Sequence, residues 1–421
     1  MKPFLLCLVA CFAFAQPLYA APALTLDEAL ESALINHPQV IEAVETQHGA
    51  EARVGQSRAA YYPQVTIAAD WNRGRSFIAA QESIRTTEAN SAALYLKQTI
   101  YDFGRTSGTV DAFHAQREAA DHALAVTRQD IILRVKSAFY LLLAAEKQVA
   151  AVADTVTARG EVLRQAQEFF SQGIRAKVDV ARAESNFYAA KTSLIRAENN
   201  RDIARLELAG AMGVATLGER IPVEPAPVTA NLPDRDHALQ DAIANRGELQ
   251  QLIAQKTAAS ATVKTAKSSY LPLLTATANA GYADRDIPPS GIVWGVGVNL
   301  TVPLFSGFSS VEQVREATAA FNAVEARQSI LRLQIGKEVE SARLGVNEAS
   351  ARMGSTAQEV VAATLNRELA EGRYHEGVGT VIEVTDAQSQ AFDAQTAGIQ
   401  ARYDYCVALA RLDRAIGKSE K

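Results

Sequence analysis

IILRVKSAFYLLLAAEKQVAAVADTVTARGEVLRQAQEFF, residues 131–170, decides the fold. Ile131, Val135, Ala138, Leu142, Ala145, Val149, Val152, Val156, Leu163, Ala166 and Phe170 form an apolar row along it, and Arg159 is the one departure. The spacing alternates four and three, the signature of a heptad seam on a helix. The same row recurs 204 residues later, at Ile335, Val339, Ala342, Val346, Ala349, Met353, Thr356, Val360, Ala363, Arg367, Ala370 and Tyr374. Arg159 of the first row answers to Ala363 of the second. Each row breaks at a glycine, Gly173 and Gly377. Counted from residue 105, each long helix measures about 100 Å at 1.5 Å per residue. Ordinary globular helices average roughly a dozen residues, so common enzyme folds are excluded.

The pattern changes character upstream of each long helix. Thr25, with Glu28 three residues on, reads as a capping box opening a helix. His37-Pro38 breaks that helix in two. Past Tyr61-Tyr62-Pro63 the period becomes two: Val65, Ile67, Ala69 and Trp71 alternate with Thr66, Ala68, Asp70 and Asn72. A polar stretch, residues 73–90, reads as the hairpin loop, and Leu94, Leu96 and Ile100 mark the returning strand. The second half repeats this order, with Tyr270 and Pro272 answering Tyr61 and Pro63. Its last strand alternates Ile292, Trp294, Val296, Val298, Leu300 and Val302 with mostly small or polar residues.

Four segments follow. Residues 1–20 read as a secretory signal, with Lys2, an apolar run over 4–15 and the small-residue exit Leu18-Tyr19-Ala20. Ala13-Phe14-Ala15 is a second candidate exit, and the lipoprotein-like box Leu8-Val9-Ala10-Cys11 lies too early in the apolar run. Residues 21–221 form a first structural repeat, with strands expected at about 64–73 and 91–102. Residues 222–234 form a Pro-rich linker. Residues 235–421 form the second repeat, with strands expected at about 273–283 and 292–304.

Composition narrows the function. A net charge of -5 and a pI near 5.8 provide no basic footprint for nucleic acid. Once the signal is removed, Cys406 has no partner within the chain. The six histidines show no ligand spacing, and no cofactor motif or catalytic constellation is present. Gly295-Val296-Gly297 lies inside a strand and does not make a phosphate loop.

Two hairpins provide four strands with one apolar face. Strands of about 9–11 residues suit a tilted crossing of an outer membrane. Four strands cannot close a barrel, and an open edge does not sit in lipid. Several chains must therefore pool their strands, as dimers or trimers. Trp71, Tyr282 and Trp294 lie on or near the apolar faces as candidate membrane-interface aromatics. Long helices with a narrow apolar seam suit a ring packed around water.

The chain resembles the TolC family of outer membrane efflux proteins over essentially its whole mature length. The residues that carry the resemblance are Thr25-Leu26-Asp27-Glu28-Ala29-Leu30 with Asn36-His37-Pro38, and Tyr61-Tyr62-Pro63. Val302-Pro303-Leu304-Phe305-Ser306-Gly307, the turn at 377–386 and the terminal run 408–417 add to them. The resemblance implies a mainly α fold with a β-barrel portion: a homotrimer whose 12-stranded outer membrane barrel continues into a long α-helical periplasmic tunnel. It implies an exit duct of a tripartite efflux pump or a type I secretion system. It also implies a periplasmic adaptor and an inner membrane transporter as partners, outer membrane lipid around the barrel, and a periplasmic extension. The rival reading is a periplasmic coiled-coil adaptor or scaffold without a barrel.

Gly173 and Gly377 mark the helix-turn tips, where a reversal favours glycine. Glu383 and Asp386, three apart, share one helix face beyond the second tip. In the resembled family, acids at these two positions line a closed periplasmic entrance. Asp179 matches a further acid there, and Tyr374 matches a tyrosine of the gate's hydrogen-bond network. The family often has an arginine where this chain has Gly379. The first-repeat equivalent of that position is Arg175, a candidate substitute.

Overall fold

Thr25 and Glu28 open the first helix with a reciprocal pair: the Glu28 amide donates to Thr25 Oγ1 at 3.3 Å, and the Thr25 amide donates to Glu28 Oε2 at 3.1 Å. That helix, α1 (Leu26–Asn36), stops at His37, whose Nδ1 accepts from the Gln39 amide and caps α2 (Pro38–Arg58). Pro38 occupies the first turn, where its missing N–H removes nothing. The computed structural model describes residues 23–78, 83–226, 232–285 and 289–418. The signal expected over residues 1–20 lies outside the described residues, as do Pro227 of the linker and Pro288 of the second hairpin turn.

After α2 the chain forms a hairpin, β2 (Gln64–Ile78) with β3 (Ser83–Tyr101), then α3 (Arg105–Ser171) and α4 (Lys177–Ala211). The second half forms α5 (Arg235–Asn245), α6 (Gly247–Lys267), β5 (Leu273–Asp284), β6 (Ile292–Thr301), α7 (Ser309–His375) and α8 (Val381–Ala415). Two short strands, β1 (Ala23–Leu24) and β4 (Ile221–Pro222), pair in parallel. Helices α3 and α7 each hold 67 residues, and α4 and α8 each hold 35.

The structure lengthens the first hairpin beyond expectation. Residues 73–78 and 83–90 are paired strand, not loop, in unbroken register from Gln64↔Lys97 to Ile78↔Ser83. Backbone hydrogen bonding extends the ladder there without an apolar face to advertise it. The last strand is shorter than expected and ends at Thr301, just before Pro303, which has no N–H to donate.

The described residues divide into two compact units, and each draws on both repeats. One is built from stretches within Met1–Ala33, Arg134–Thr229 and Arg352–Val407. Among its buried residues, Val162, Ala166 and Ala183 from the first repeat pack with Ala370, Tyr374, Val381, Val384 and Ala387 from the second. Small seam residues bring these helices close together, and the core is shared between the repeats rather than enclosed by either.

The other unit comprises Leu34–Leu133, Ala230–Ala351 and Ala408–Lys421. It contains the four-stranded antiparallel sheet in the order β2-β3-β5-β6. Ile335 and Val339 of α7 are buried there against Ala238, Ala242 and Leu249. Where each hairpin hands over to its long helix, two consecutive residues take positive φ: Phe103 and Gly104 in one repeat, Gly307 and Phe308 in the other. Asp102 caps the first junction by accepting from the Thr106 amide at 2.7 Å.

Candidate functional site

Both long helices end in the same way. In the first repeat the Ile174 amide bonds back to the Phe169 carbonyl at 2.9 Å, and Gly173 takes φ 75°. In the second the Val378 amide bonds to Arg373 at 3.1 Å, and Gly377 takes φ 74°. These are Schellman closures, which need a left-handed residue at the turn. The next helices then start differently. Thr380 caps α8 by accepting from the Glu383 amide at 3.2 Å, whereas Ala176 offers α4 no side-chain cap.

The two turns meet. Arg175 Nη2 donates to the Gly379 carbonyl at 2.5 Å and to the Gly377 carbonyl at 3.2 Å. Gly379 is buried, and a Cβ there would stand 2.9 Å from the Tyr374 amide nitrogen. Glycine is required here by close approach rather than by φ. An arginine at 379 does not fit this geometry, and the first-repeat arginine reaches the same turn from the other side.

Tyr374 is 1% exposed and packs edge-on against Phe169, centroids 5.8 Å apart. Its hydroxyl has no hydrogen-bond partner among the described residues. Burial pushes that hydroxyl above its usual pKa; Asp179 adds to the effect and Arg175 opposes it. Asp179 and Arg175 therefore both lie within electrostatic reach of Tyr374. Glu383 is half-exposed and pairs with Arg373 at 3.4 Å, while Asp386 is exposed. The structure thus brings Arg175, Asp179, Tyr374, Gly377 and Gly379 together, with Glu383 and Asp386 at the start of α8. Arg373 is a member that sequence reasoning missed, because its partner lies on the next helix and no spacing links the two.

The sheet is the second functional surface. Residues opposite one another in an antiparallel pair share a face. Ile67, Leu94, Ala280 and Trp294 make one row, and Val65, Leu96, Ala278 and Val296 make the next on that face. Trp71, Tyr282 and Trp294 fall on three consecutive rows of the same face. Ile67, Trp294 and Val296 are 76%, 74% and 78% exposed. The opposite face presents Thr66, Tyr95, Asn279 and Gly295 in one row and Gln64, Lys97, Thr277 and Gly297 in another. Strands β2 and β6 leave their outer edges unpaired in the sheet. No described helix is long and apolar enough to cross a membrane.

Residues 29–214 and 238–418 match the family described as outer membrane efflux protein. The chain belongs to that family. It is 27% identical over 409 residues to the outer membrane protein TolC of Vibrio cholerae, covering 93% of this chain and 90% of TolC. It is 28% identical over 383 residues to the protein CyaE of Bordetella pertussis, covering 88% of this chain and 79% of CyaE. The solved structure of the outer membrane channel OprN superposes with a TM-score of 0.83 at 20% identity, over 94% of this chain and 90% of OprN. This outer membrane efflux protein therefore has the fold of these channels: a helical tunnel portion with a β-barrel portion. It is an exit duct of the outer membrane, and its family consists of channels rather than enzymes.

Proposed function

We propose that three copies of this chain close one barrel and one tunnel, and that the paired turns are the tunnel's periplasmic gate. The sheet carries this reading. It has an apolar face, a polar face and two open edges. Unpaired edges are intolerable in hydrocarbon, so closure must come from other copies. Three copies supply twelve strands, an even number suited to an outer membrane barrel. From Ile292 to Leu300 the apolar face of β6 spans about 27 Å at ~3.4 Å per residue, enough for a tilted crossing. Trp71, Tyr282 and Trp294 then form an aromatic belt at one membrane interface.

In this assembly Arg175, Asp179, Tyr374, Glu383 and Asp386 recur three times around one axis. Arg175 holds the two turns of each copy together, and the acids set the charge of the mouth. The duct holds no energy source. An inner membrane transporter drives export, and a periplasmic adaptor joins it to the tunnel. The relatives include a protein named for alkaline protease secretion in Pseudomonas aeruginosa and one named for a solvent efflux pump in Pseudomonas putida, so both cargo classes occur among them. A barrel-less adaptor does not need the apolar sheet face. Native mass spectrometry of the detergent-solubilised protein is expected to give three chains. A stable monomer that retains its sheet would overturn the assembly.

A further inference from the structure

Arg159 is the charged residue that interrupts the α3 seam, and its repeat counterpart is Ala363. Its Nη1 donates to the Asn186 carbonyl of α4 at 3.2 Å, and its Nη2 donates to Ser389 Oγ of α8 at 3.1 Å. Its Nε is buried without a partner. Burial disfavours its charge, and Asp393, one turn beyond Ser389 on α8, partly compensates. A half-buried guanidinium with an unsatisfied nitrogen opposes stability. An apolar residue, such as the alanine in the other repeat, would fill a seam position without that opposition. What Arg159 adds is a directional bond joining the first hairpin, α3 and α4, to α8.

The apolar contacts do not supply that direction. The other side-chain bond from α3 to α8, Gln148 Nε2 to Thr396 Oγ1 at 2.9 Å, lies eleven residues farther from the tip, and Gln165 Nε2 nearer the tip reaches the His375 carbonyl of α7 rather than α8. Around Arg159 and the tip the buried residues are largely alanine and valine. Such surfaces hold helices together but offer little resistance to sliding. The end of α3 at Ser171 lies twelve residues beyond Arg159, about 18 Å at 1.5 Å per residue. Arg175, just past that end, is another directional tie between the repeats. The part of α8 between the Gln148 tie and the tip can splay from α3 unless it is tied again nearer the tip, and Arg159 makes that tie.

We infer that Arg159 is a second latch of the duct, fixing the angle between α8 and the α3–α4 hairpin so that loss of the Arg175 tie alone leaves the mouth largely closed. This rests on reading the turns as a gate. Arg159 acts by positioning α8 and does not touch the cargo.

The test compares Arg159→Met, Arg175→Ala, the double variant and Arg159→Lys as purified protein in planar bilayers. The double variant is expected to conduct about twofold or more above the product of the two single effects, the scale on which coupled residues depart from additivity. Arg159→Lys should restore part of the closure. Thermal dissociation of the assembly separates a latch from a packing role. Arg159→Met removes a buried charge from an apolar seam, so its dissociation temperature should equal or exceed that of the wild type. A lower dissociation temperature with unchanged conductance in both backgrounds would overturn the latch. If Arg159→Met does not assemble, Ser389→Ala in the Arg175→Ala background should still raise conductance, and no rise would overturn the latch. If Arg175→Ala and the double variant conduct no more than their Arg175 counterparts while Arg159→Met conducts more, Arg159 alone holds the mouth and the two-latch reading is overturned. If neither single variant nor the double variant changes conductance, both fall.

Discussion

Arg175 and Gly379 occupy equivalent positions in the two repeats, and they are bonded to each other: the Arg175 guanidinium donates to the Gly379 carbonyl at 2.5 Å. Duplication therefore produced two turns of one geometry and divided their labour. One copy keeps a long cationic side chain. The other keeps no side chain at all, because its backbone lies against the Tyr374 amide. A side chain at both positions would leave Arg175 without its landing place.

Arg175→Ala should raise resting single-channel conductance only modestly, because Arg159 still holds α8, with no loss of assembly. The side chain is partly exposed, so its contribution to folding is small. Gly379→Ala should act in the same direction by another route. Its Cβ would stand 2.9 Å from the Tyr374 nitrogen, so the turn must shift away and carry the Arg175 acceptor with it. Unchanged conductance in both variants would mean that the two turns are not a gate.

Val296→Asp should impair assembly into the membrane far more than Asn299→Asp. Val296 shares its row with Val65 and Leu96, the apolar face, whereas Asn299 pairs with Thr275 on the polar face. A charge facing lipid near the midplane costs about 2 kcal/mol, and one facing water costs little. Heat-resistant assembly in membrane fractions is the measurement. Equal yields of both variants would invert the assignment of faces.

A partly buried ionic network predicts the acid limit of the second unit. Arg246 bonds Glu248 and Glu338, and Arg414 bonds Glu248 at 2.5 Å and Asp130 at 2.8 Å. Burial alone would raise the Glu248 carboxyl, but the hydrogen bonds from Arg246 and Arg414 outweigh it and hold the pKa at about 2. A depressed acid contributes stability above its unfolded pKa, about 4.3, and loses that contribution as pH falls through the folded value. The melting temperature should therefore hold down to about pH 5 and fall between roughly pH 4 and 2. Glu248→Gln should melt below the wild type at neutral pH, with the gap closing across that window. A gap independent of pH would show that the ionised carboxylate is not what the network uses.

Much of the fold was legible because its periods are long. A seam sustained through residues 131–170 and repeated 204 residues later has few competing readings. Residues 73–78 and 83–90 read as loop in the sequence because Arg73, Gly74, Thr86, Thr87 and Glu88 offer no apolar alternation. Their pairing rests on backbone bonds, which leave no mark on side-chain pattern. At the tips, Gly173 and Gly377 were legible as turns, and Arg175 was legible through the repeat offset. Arg373 was not, and Arg159 was legible only as the charged break in the seam, because their partners lie on other helices and only packing sets those distances.

Asp386 should govern cation preference more than Glu383. The two acids begin α8 three residues apart, but their surroundings differ. Glu383 faces Arg373 at 3.4 Å, so part of its field is cancelled locally. Asp386 is exposed, and the first-repeat counterpart of its position is Arg182, also exposed. In the threefold mouth we propose, each carboxylate would appear three times, and a narrow opening with low-dielectric walls would focus what charge remains. Asp386→Asn should therefore lower cation selectivity, and weaken block by multivalent cations, more than Glu383→Gln does. Arg373→Ala should uncover Glu383 and raise cation selectivity above the wild type. Exposed pairs of this kind contribute about 0–1 kcal/mol, so none of the three should prevent assembly. Reversal potentials in a salt gradient are the measurement. If Glu383→Gln has the larger effect, Arg373 does not neutralise its partner in the assembled mouth. If selectivity is unchanged in all three variants, the acids do not line the constriction.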